Sequence, residues 1–323
     1  MKNIVLMGAG SIGSRHLQAL RSVKEPLRIT VIDPSESSLE TAKVRFEQAA
    51  PASHHHEILF TTAIPEVLGN IDIAIVATRS DMRRKAVETL LQKCSIRYML
   101  LEKLLFNRLE DFEAVGTLLE KHSVKAWVNC TMRVIPFYRE MRQDAPLKPI
   151  VYQVGSGETG LVTSIVHFLD HMAYLTGTLK YMPDVSLVNP KPIESKRAGF
   201  LELIGTIQAV FSDGSVGIFT RHPSGTEPSL ISITNEDVAY IVRETEEKTW
   251  VSKKTDGWEW HEEISPVPLQ SVMTTWLVEE ILSTGTCPLV SYQDSAKIHV
   301  PILEALRKFL NEHGNSYDYY PFT

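Results

Sequence analysis

Gly8, Gly10 and Gly13 stand in a G-x-G-x-x-G run, Gly8-Ala9-Gly10-Ser11-Ile12-Gly13, between an apolar stretch (Ile4–Met7) and an amphipathic one (Ser14–Val23). That spacing suits a pyrophosphate. Gly8 permits a tight turn, Gly10 lets the backbone approach a phosphate, and Gly13 lets a helix pack closely on a strand. Free N–H groups at Ser11, Ile12 and Gly13, at a helix N-terminus, would favour the negative charge. Asp33 ends the next apolar run, about 20 residues beyond Gly13, where a carboxylate binds ribose hydroxyls and repels a 2′-phosphate. No Lys or Arg directly follows it, so NAD is the expected dinucleotide, with NADP as the second choice.

A second cluster is His167-Phe168-Leu169-Asp170-His171. On a helix, His167 and His171 share a face, and with Asp170 they approximate the H-x-x-E-H zinc pattern of a metallohydrolase. Asp is shorter than Glu and no third ligand is evident, so no metal is expected. The run His54–His56 sits in a polar stretch and reads as a solvated loop.

These residues need elements to hold them. In the first 130 residues, β-rich apolar runs (Ile4–Met7, Ile29–Ile32, Ile71–Ala77, Tyr98–Leu101, Ala126–Val128) alternate with amphipathic stretches (Ser14–Val23, Ser38–Gln48, Arg84–Lys93, Leu109–Lys121). Continuous apolar runs suit strands buried on both faces, and the alternation predicts a doubly wound parallel sheet, a Rossmann domain over 1–125. After Arg133–Arg142, which reads as helical, Pro146 and Pro149 punctuate the chain. A helix at Thr163–Leu175 and strand-like runs at Ile150–Val154, Phe200–Phe211, Val216–Thr220, Leu230–Thr234 and Asp237–Glu244 follow, then helices at Gln270–Leu282 and Gln293–Glu312. Grouped strands predict an α+β domain over 126–323 with an open, mostly antiparallel sheet. Trp250, Trp258 and Trp260 alternate with polar residues in an expected hairpin.

Composition narrows the function. With 323 residues, 43% hydrophobic and 22% charged, two globular domains are expected. A net charge of −6 gives no basic field for nucleic acid or an anionic membrane. No apolar run reaches the roughly 20 residues that span a bilayer. The N-terminus lacks a signal-peptide layout, and three scattered cysteines (Cys94, Cys130, Cys287) point to a reducing compartment, hence the cytoplasm.

The glycine run extends to His16 as G-x-G-x-x-G-x-x-H. Together with Glu102-Lys103, the strand ending at Ala77-Thr78, Asn129–Pro136 with Arg133, and His167-x-x-Asp170 with Gly177 beyond, the chain resembles the Gfo/Idh/MocA oxidoreductases, relatives of glucose–fructose oxidoreductase and inositol dehydrogenase. The resemblance implies a nicotinamide enzyme oxidising or reducing a carbon of a sugar, polyol or nucleotide-sugar. It implies that Lys103 and His167 meet over the nicotinamide, that Ala77, Thr78, Glu102 and Lys103 border the cofactor, and that the second sheet forms a homo-oligomer (dimer or tetramer). Several positions depart from the family, and Arg79-Ser80 follow Ala77-Thr78 where the family has Pro-Asn. Leu104 replaces the proline often found after Glu-Lys; a cis bond there would cost about 3 kcal/mol, which predicts a different placement of Lys103. Arg83 stands where a histidine is frequent. Thr163 replaces an aspartate four residues before His167.

Hydride removal from an alcohol needs a base near the hydroxyl with a pKa close to working pH. His167 fits by type and is the expected acid/base. Lys103, at the carboxyl end of a parallel strand, would stabilise alkoxide charge or relay a proton, its pKa lowered by burial and the positive ring. Glu102 would orient that segment. Asp170, three residues after His167 on a helix, would orient the imidazole or bind a substrate hydroxyl, compensating for Thr163. Arg133 and Tyr138 are further substrate-site candidates. Besides the metallohydrolase, the alternative is a non-catalytic dinucleotide sensor.

Overall fold

The computed structural model describes residues 1–50, 55–144, 149–158, 160–223 and 225–323; His54 and Pro146 lie outside them. The chain forms two compact units. The first comprises residues 1–129 and 268–293, the second 130–267 and 294–323. The contiguous division at 125/126 expected from sequence does not contain this return of 268–293 to the first unit.

The first unit alternates β1 (Lys2–Met7), α1 (Ser11–Leu20), β2 (Leu27–Ile32), α2 (Glu36–Gln48), β3 (Glu57–Thr61), β4 (Asn70–Val76), α3 (Ser80–Lys93), β5 (Ser95–Leu101), α4 (Leu109–Lys121) and β6 (Lys125–Val128). The strands pair in parallel in the order β3-β2-β1-β4-β5-β6. Strand order therefore reverses at β1, whose neighbours are β2 and β4, and the crevice at such a reversal, beyond the strand carboxyl ends, is where doubly wound sheets bind ligands. Ile4, Val5 and Leu6 are fully buried, as are Ile73 and Ala74, because helices cover both faces. β3 was not legible in the sequence; it is an edge strand that leaves Leu59 half exposed.

The second unit runs through α5 (Pro136–Asp144), β7 (Val151–Ser156), α6 (Leu161–Thr176), β8 (Tyr181–Val188), β9 (Ile193–Glu194), β10 (Leu201–Glu202), β11 (Gly205–Phe211), β12 (Val216–Arg221), β13 (Leu230–Thr234), β14 (Val238–Arg243), β15 (Lys248–Lys253) and β16 (Trp260–Ile264). Its eight-stranded sheet has the order β16-β15-β14-β13-β7-β12-β11-β8 and is antiparallel except for β7–β12. The expected strand Phe200–Phe211 is broken: Leu201–Glu202 pairs with Ile193–Glu194 in a separate hairpin, and the sheet strand starts at Gly205. The expected helix Arg133–Arg142 is a 3-10 turn at Thr131–Val134 followed by α5. The tryptophan hairpin is β15–β16, with Trp258 in its turn.

The chain then returns to the first unit as α7 (Gln270–Thr284), which packs on α1, and β17 (Val290–Ser291), an antiparallel edge on β6, before α8 (Tyr292–Glu312) leads back into the second. Among the described residues no helix is long and apolar enough to cross a membrane, and Cys94, Cys130 and Cys287 form no disulfide.

Candidate functional site

In the first unit the glycine turn is built by exclusion. A Cβ on Gly13 would lie 1.9 Å from the Gly8 carbonyl oxygen, and one on Gly8, whose φ is +95°, would lie 2.9 Å from the Ala77 carbonyl carbon. Nothing stands within 4 Å of the Cβ position of Gly10. The turn is closed where strand and helix pack and open where a ligand would pass. Gly10 is the N-cap of α1 without a side-chain cap, and the first turn holds no acid, so the N–H groups of Ser11, Ile12 and Gly13 keep their positive end.

Asp33 braces this turn. Its Oδ2 accepts from Ala9 N–H at 2.7 Å and its Oδ1 from Ser35 N–H at 2.8 Å. A carboxylate oxygen has two lone-pair sites, so each retains one for a ribose hydroxyl. Arg45, on α2, reaches the same turn through the Ser11 carbonyl at 3.2 Å and the Ser14 hydroxyl. Arg45 lies too far along the chain from Asp33 for the sequence around that acid to mark it.

Two polar atoms at the ends of the strands that flank β5 have no partner among the described residues: the buried Thr78 Oγ1 after β4 and Asn129 Oδ1 after β6. Unmade buried hydrogen bonds are costly, so these atoms suit a ligand that supplies them. The open Gly10, the bare helix terminus, Asp33 and these atoms fit a dinucleotide with its pyrophosphate at Gly10–Gly13 and its adenosine ribose at Asp33.

Below Lys103 lies a buried ring. His16 Nε2 is 2.9 Å from Glu102 Oε1 and its Nδ1 is 2.8 Å from Thr274 Oγ1. Gln270 Nε2 donates to Thr274 Oγ1 at 2.8 Å, and Asn129 Nδ2 donates to Gln270 Oε1 at 3.0 Å and to Glu102 Oε1 at 2.6 Å. The ring joins α1, the ends of β5 and β6, and α7. Burial raises the Glu102 carboxyl, but His16, neighbouring Lys103 and the Asn129 amide together hold it down to about 2. Glu102, expected beside the cofactor, thus belongs to the support of the Lys103 segment. The sequence offered His16 only as part of a fingerprint; Gln270 and Thr274 gave no signal, because their partners are far away in the chain.

The Lys103–Leu104 peptide bond is cis, with Leu104 standing where the family often has proline. Arg83, buried, donates to the carbonyls of Leu104, Leu105 (2.8 Å) and Thr78. It ties the loop after β4 to the loop after β5, a task that the two nitrogens of an imidazole could not perform.

In the second unit α6 carries His167, which is half-buried. Asp170 does not stand open to a substrate: it is 1% exposed, and its carboxylate takes Arg133 Nε at 2.8 Å and Nη2 at 2.6 Å. Burial pushes its carboxyl up to about 6 against the pull of Arg133. Both residues, expected to contact substrate, are spent on each other and fix α6 against the 3-10 turn. Tyr138 is likewise buried, its hydroxyl donating to Glu244 Oε1 at 2.8 Å. His171 is fully buried with Nδ1 2.9 Å from the Tyr152 hydroxyl, and burial pushes its pKa down to about 3. With Asp170 and His171 so placed, and no cluster of three metal-binding side chains among the described residues, the zinc pattern has no ligand set.

Thr163, one turn before His167, brings a carboxylate with it. Its hydroxyl donates to Glu202, which also accepts from the N–H groups of Val162 (2.6 Å), Thr163 (3.2 Å) and Leu203 (2.9 Å). This acid caps α6 from β10, the short strand that pairs with β9 outside the eight-stranded sheet.

Residues 2–130 match the model of the oxidoreductase family with the NAD-binding Rossmann fold, Gfo/Idh/MocA. Solved structures match nearly the whole chain at low identity. An oxidoreductase from Agrobacterium radiobacter, in complex with NAD+, L-tartaric acid and magnesium, is 16% identical with a TM-score of 0.74, covering 97% of each chain. UDP-N-acetylglucosamine 3-dehydrogenase GnnA from Acidithiobacillus ferrooxidans is 12% identical with a TM-score of 0.72, over 95% of this chain and 98% of that one. The aldose-aldose oxidoreductase from Caulobacter crescentus, complexed with glycerol, is 17% identical with a TM-score of 0.69, over 97% and 98%. At these identities the likeness is one of fold. No curated protein matches the chain in sequence.

Proposed function

We propose that this chain, whose residues 2–130 match the model of the Gfo/Idh/MocA oxidoreductase family with its NAD-binding Rossmann fold, is an NAD(P)-dependent dehydrogenase or reductase acting on a CH–OH carbon of a sugar, polyol or nucleotide-sugar. The observation that carries the reading is the glycine turn at the reversal of strand order, open at Gly10 and braced by Asp33. The nicotinamide, when bound, accepts or donates the hydride. His167 exchanges the hydroxyl proton, and Lys103 stabilises the charge that develops on that oxygen. Arg133 and Asp170 hold the helix that presents His167; Arg83 and the His16–Glu102 ring hold the segment that presents Lys103. Asp33 favours NAD over NADP because a 2′-phosphate would meet its charge.

A homo-oligomer is the expected assembly. Met182 and Val210, cross-strand partners on β8 and β11, are 75% and 50% exposed, an apolar patch on the open sheet face that suits burial against a second copy. Three cysteines scattered along the chain suit a reducing compartment, and the cytoplasm is the proposed location.

The test is a titration with NADH and NADPH followed by nicotinamide fluorescence, for wild type and Asp33→Ala. The expected result is tighter NADH binding that weakens about tenfold in the variant. Binding of neither nucleotide would overturn the proposal. Binding without turnover on any sugar, polyol or nucleotide-sugar would favour the sensor.

A further inference from the structure

The second unit holds a groove that neither the dinucleotide nor the proton chemistry uses. One end is a cavity of about 410 Å³ lined by Thr163 and Ser164 of α6, by Lys196 and Arg197 of the β9–β10 loop, and by Arg221 at the end of β12. The other end is a cavity of about 270 Å³ along the same loop, walled by Phe200, Tyr317, Tyr319 and Pro321; Glu194 lines both. The C-terminal segment is fixed to the loop by Leu201 N–H donating to the Pro321 carbonyl at 2.7 Å. Tyr317 and Tyr319 meet edge to face, ring centres 5.6 Å apart, and both are half-buried.

The charges in this groove are not mutually spent. Glu202 lines it too, but its carboxylate is engaged with the α6 N-terminus and the Thr163 hydroxyl. Glu158 and Glu194 are exposed to water. Arg221 Nε is buried and has no hydrogen-bond partner among the described residues. A guanidinium with an unspent buried donor is a seat for a carboxylate or phosphate, and a neutral polyol would leave it unmet. Tyrosine rings beside cations suit a planar base joined to phosphates: the base stacks, the phosphates take the charge-assisted bonds. Thr163 lies on the same helical face as His167, one turn away, so a ligand filling the groove directs its far end toward the proposed acid/base.

We propose that this groove seats the nucleoside diphosphate of a nucleotide-sugar. The base lies against Tyr317 and Tyr319, the diphosphate on Lys196, Arg197 and Arg221, and the sugar toward Thr163 and His167. This rests on the hydride-transfer reading and selects, within it, nucleotide-sugars over free sugars and polyols.

The experiment is calorimetric titration of the full chain with UDP, GDP and dTDP, alone and in saturating NADH, with uridine and a free sugar acid, galacturonate, as comparisons. The expected result is that at least one nucleoside diphosphate binds equally with and without NADH, more tightly than uridine or galacturonate. Arg221→Gln and Tyr319→Ala should each weaken it about tenfold while NADH affinity is unchanged. Lys196→Ala, on an exposed loop, should weaken it as well and serves if Arg221→Gln fails to fold. Displacement of the diphosphate by NADH would place it in the dinucleotide turn and overturn the proposal. So would NADH binding with no diphosphate binding, galacturonate binding at least as tightly, or insensitivity to the three substitutions. Diphosphate binding that responds to the substitutions, in a protein that binds no NADH, would uphold the groove and overturn the oxidoreductase reading instead.

Discussion

His16 Nε2 and Glu102 Oε1, 86 residues apart in the chain, lie 2.9 Å apart in a buried ring that Asn129, Gln270 and Thr274 close. The carboxylate is the acceptor on which this ring converges, so its charge is worth stability. Its pKa falls from an ordinary 4.5 to about 2 in the folded protein. A depressed carboxyl contributes stability that is fully present above its unfolded pKa and lost as pH falls through the folded one. Glu102→Gln should therefore destabilise the protein by on the order of 3 kcal/mol at pH 7. In urea melts the gap from wild type should narrow as pH falls below about 4.5. A gap independent of pH would contradict the assignment.

The glycines of the phosphate turn should separate folding from binding. Gly13→Ala forces a Cβ to 1.9 Å from the Gly8 carbonyl, so helix and strand must part. A loss of about 2 kcal/mol or more in urea unfolding is expected. Gly10→Ala meets no atom within 4 Å and should leave the unfolding midpoint unchanged while reducing NADH affinity, because the methyl enters the space reserved for the pyrophosphate.

Asp170 should show the opposite pH dependence to Glu102. Burial raises its folded pKa from 3.8 to about 6, above the unfolded value. The folded state then binds the proton more tightly, and stability present at low pH is lost as pH rises through about 6. Relative to Asp170→Asn, which does not titrate, wild-type stability should decline between about pH 4 and 6 and stay level above that. Melting curves of the two proteins across that range provide the check.

Glu202 holds two backbone N–H groups, those of Val162 and Thr163, and the Thr163 hydroxyl at the start of the helix that carries His167. Glu202→Ala should cost about 2 kcal/mol of stability through the lost cap. Thr163→Ala, which removes one of these bonds, should cost less. Chemical denaturation of both variants measures the difference, and equal costs would show that the cap does not depend on the acid.

Much of the first unit was legible because its signals are local. Continuous apolar runs such as Ile71–Ala77 mark strands buried on both faces, and Gly8, Gly10 and Gly13 mark a backbone that must turn and be approached closely. The second sheet was legible as a class, yet Tyr181–Val188 escaped notice: it mixes Pro183, Asp184 and Ser186 with apolar residues, the pattern of an edge strand. Phe200–Phe211 read as one strand because nothing in its alternation announces that Leu201–Glu202 pairs with Ile193–Glu194 and that the sheet strand starts only at Gly205.

The sequence by itself determined the phosphate turn, the acid that braces it, the order of strands and helices in the first 130 residues apart from the edge strand β3, and the candidates Lys103 and His167. Tertiary structure alone decided which polar groups are spent. Arg133 and Asp170 looked available and are paired; Arg83 looked like a departure and is a clamp; Gln270 and Thr274 looked like unremarkable residues of a late helix and complete a ring in the first unit. The reason is physical. Backbone conformation follows from near neighbours, whereas a buried polar side chain takes whatever partner the packing brings within about 3 Å, and sequence distance carries no trace of that meeting.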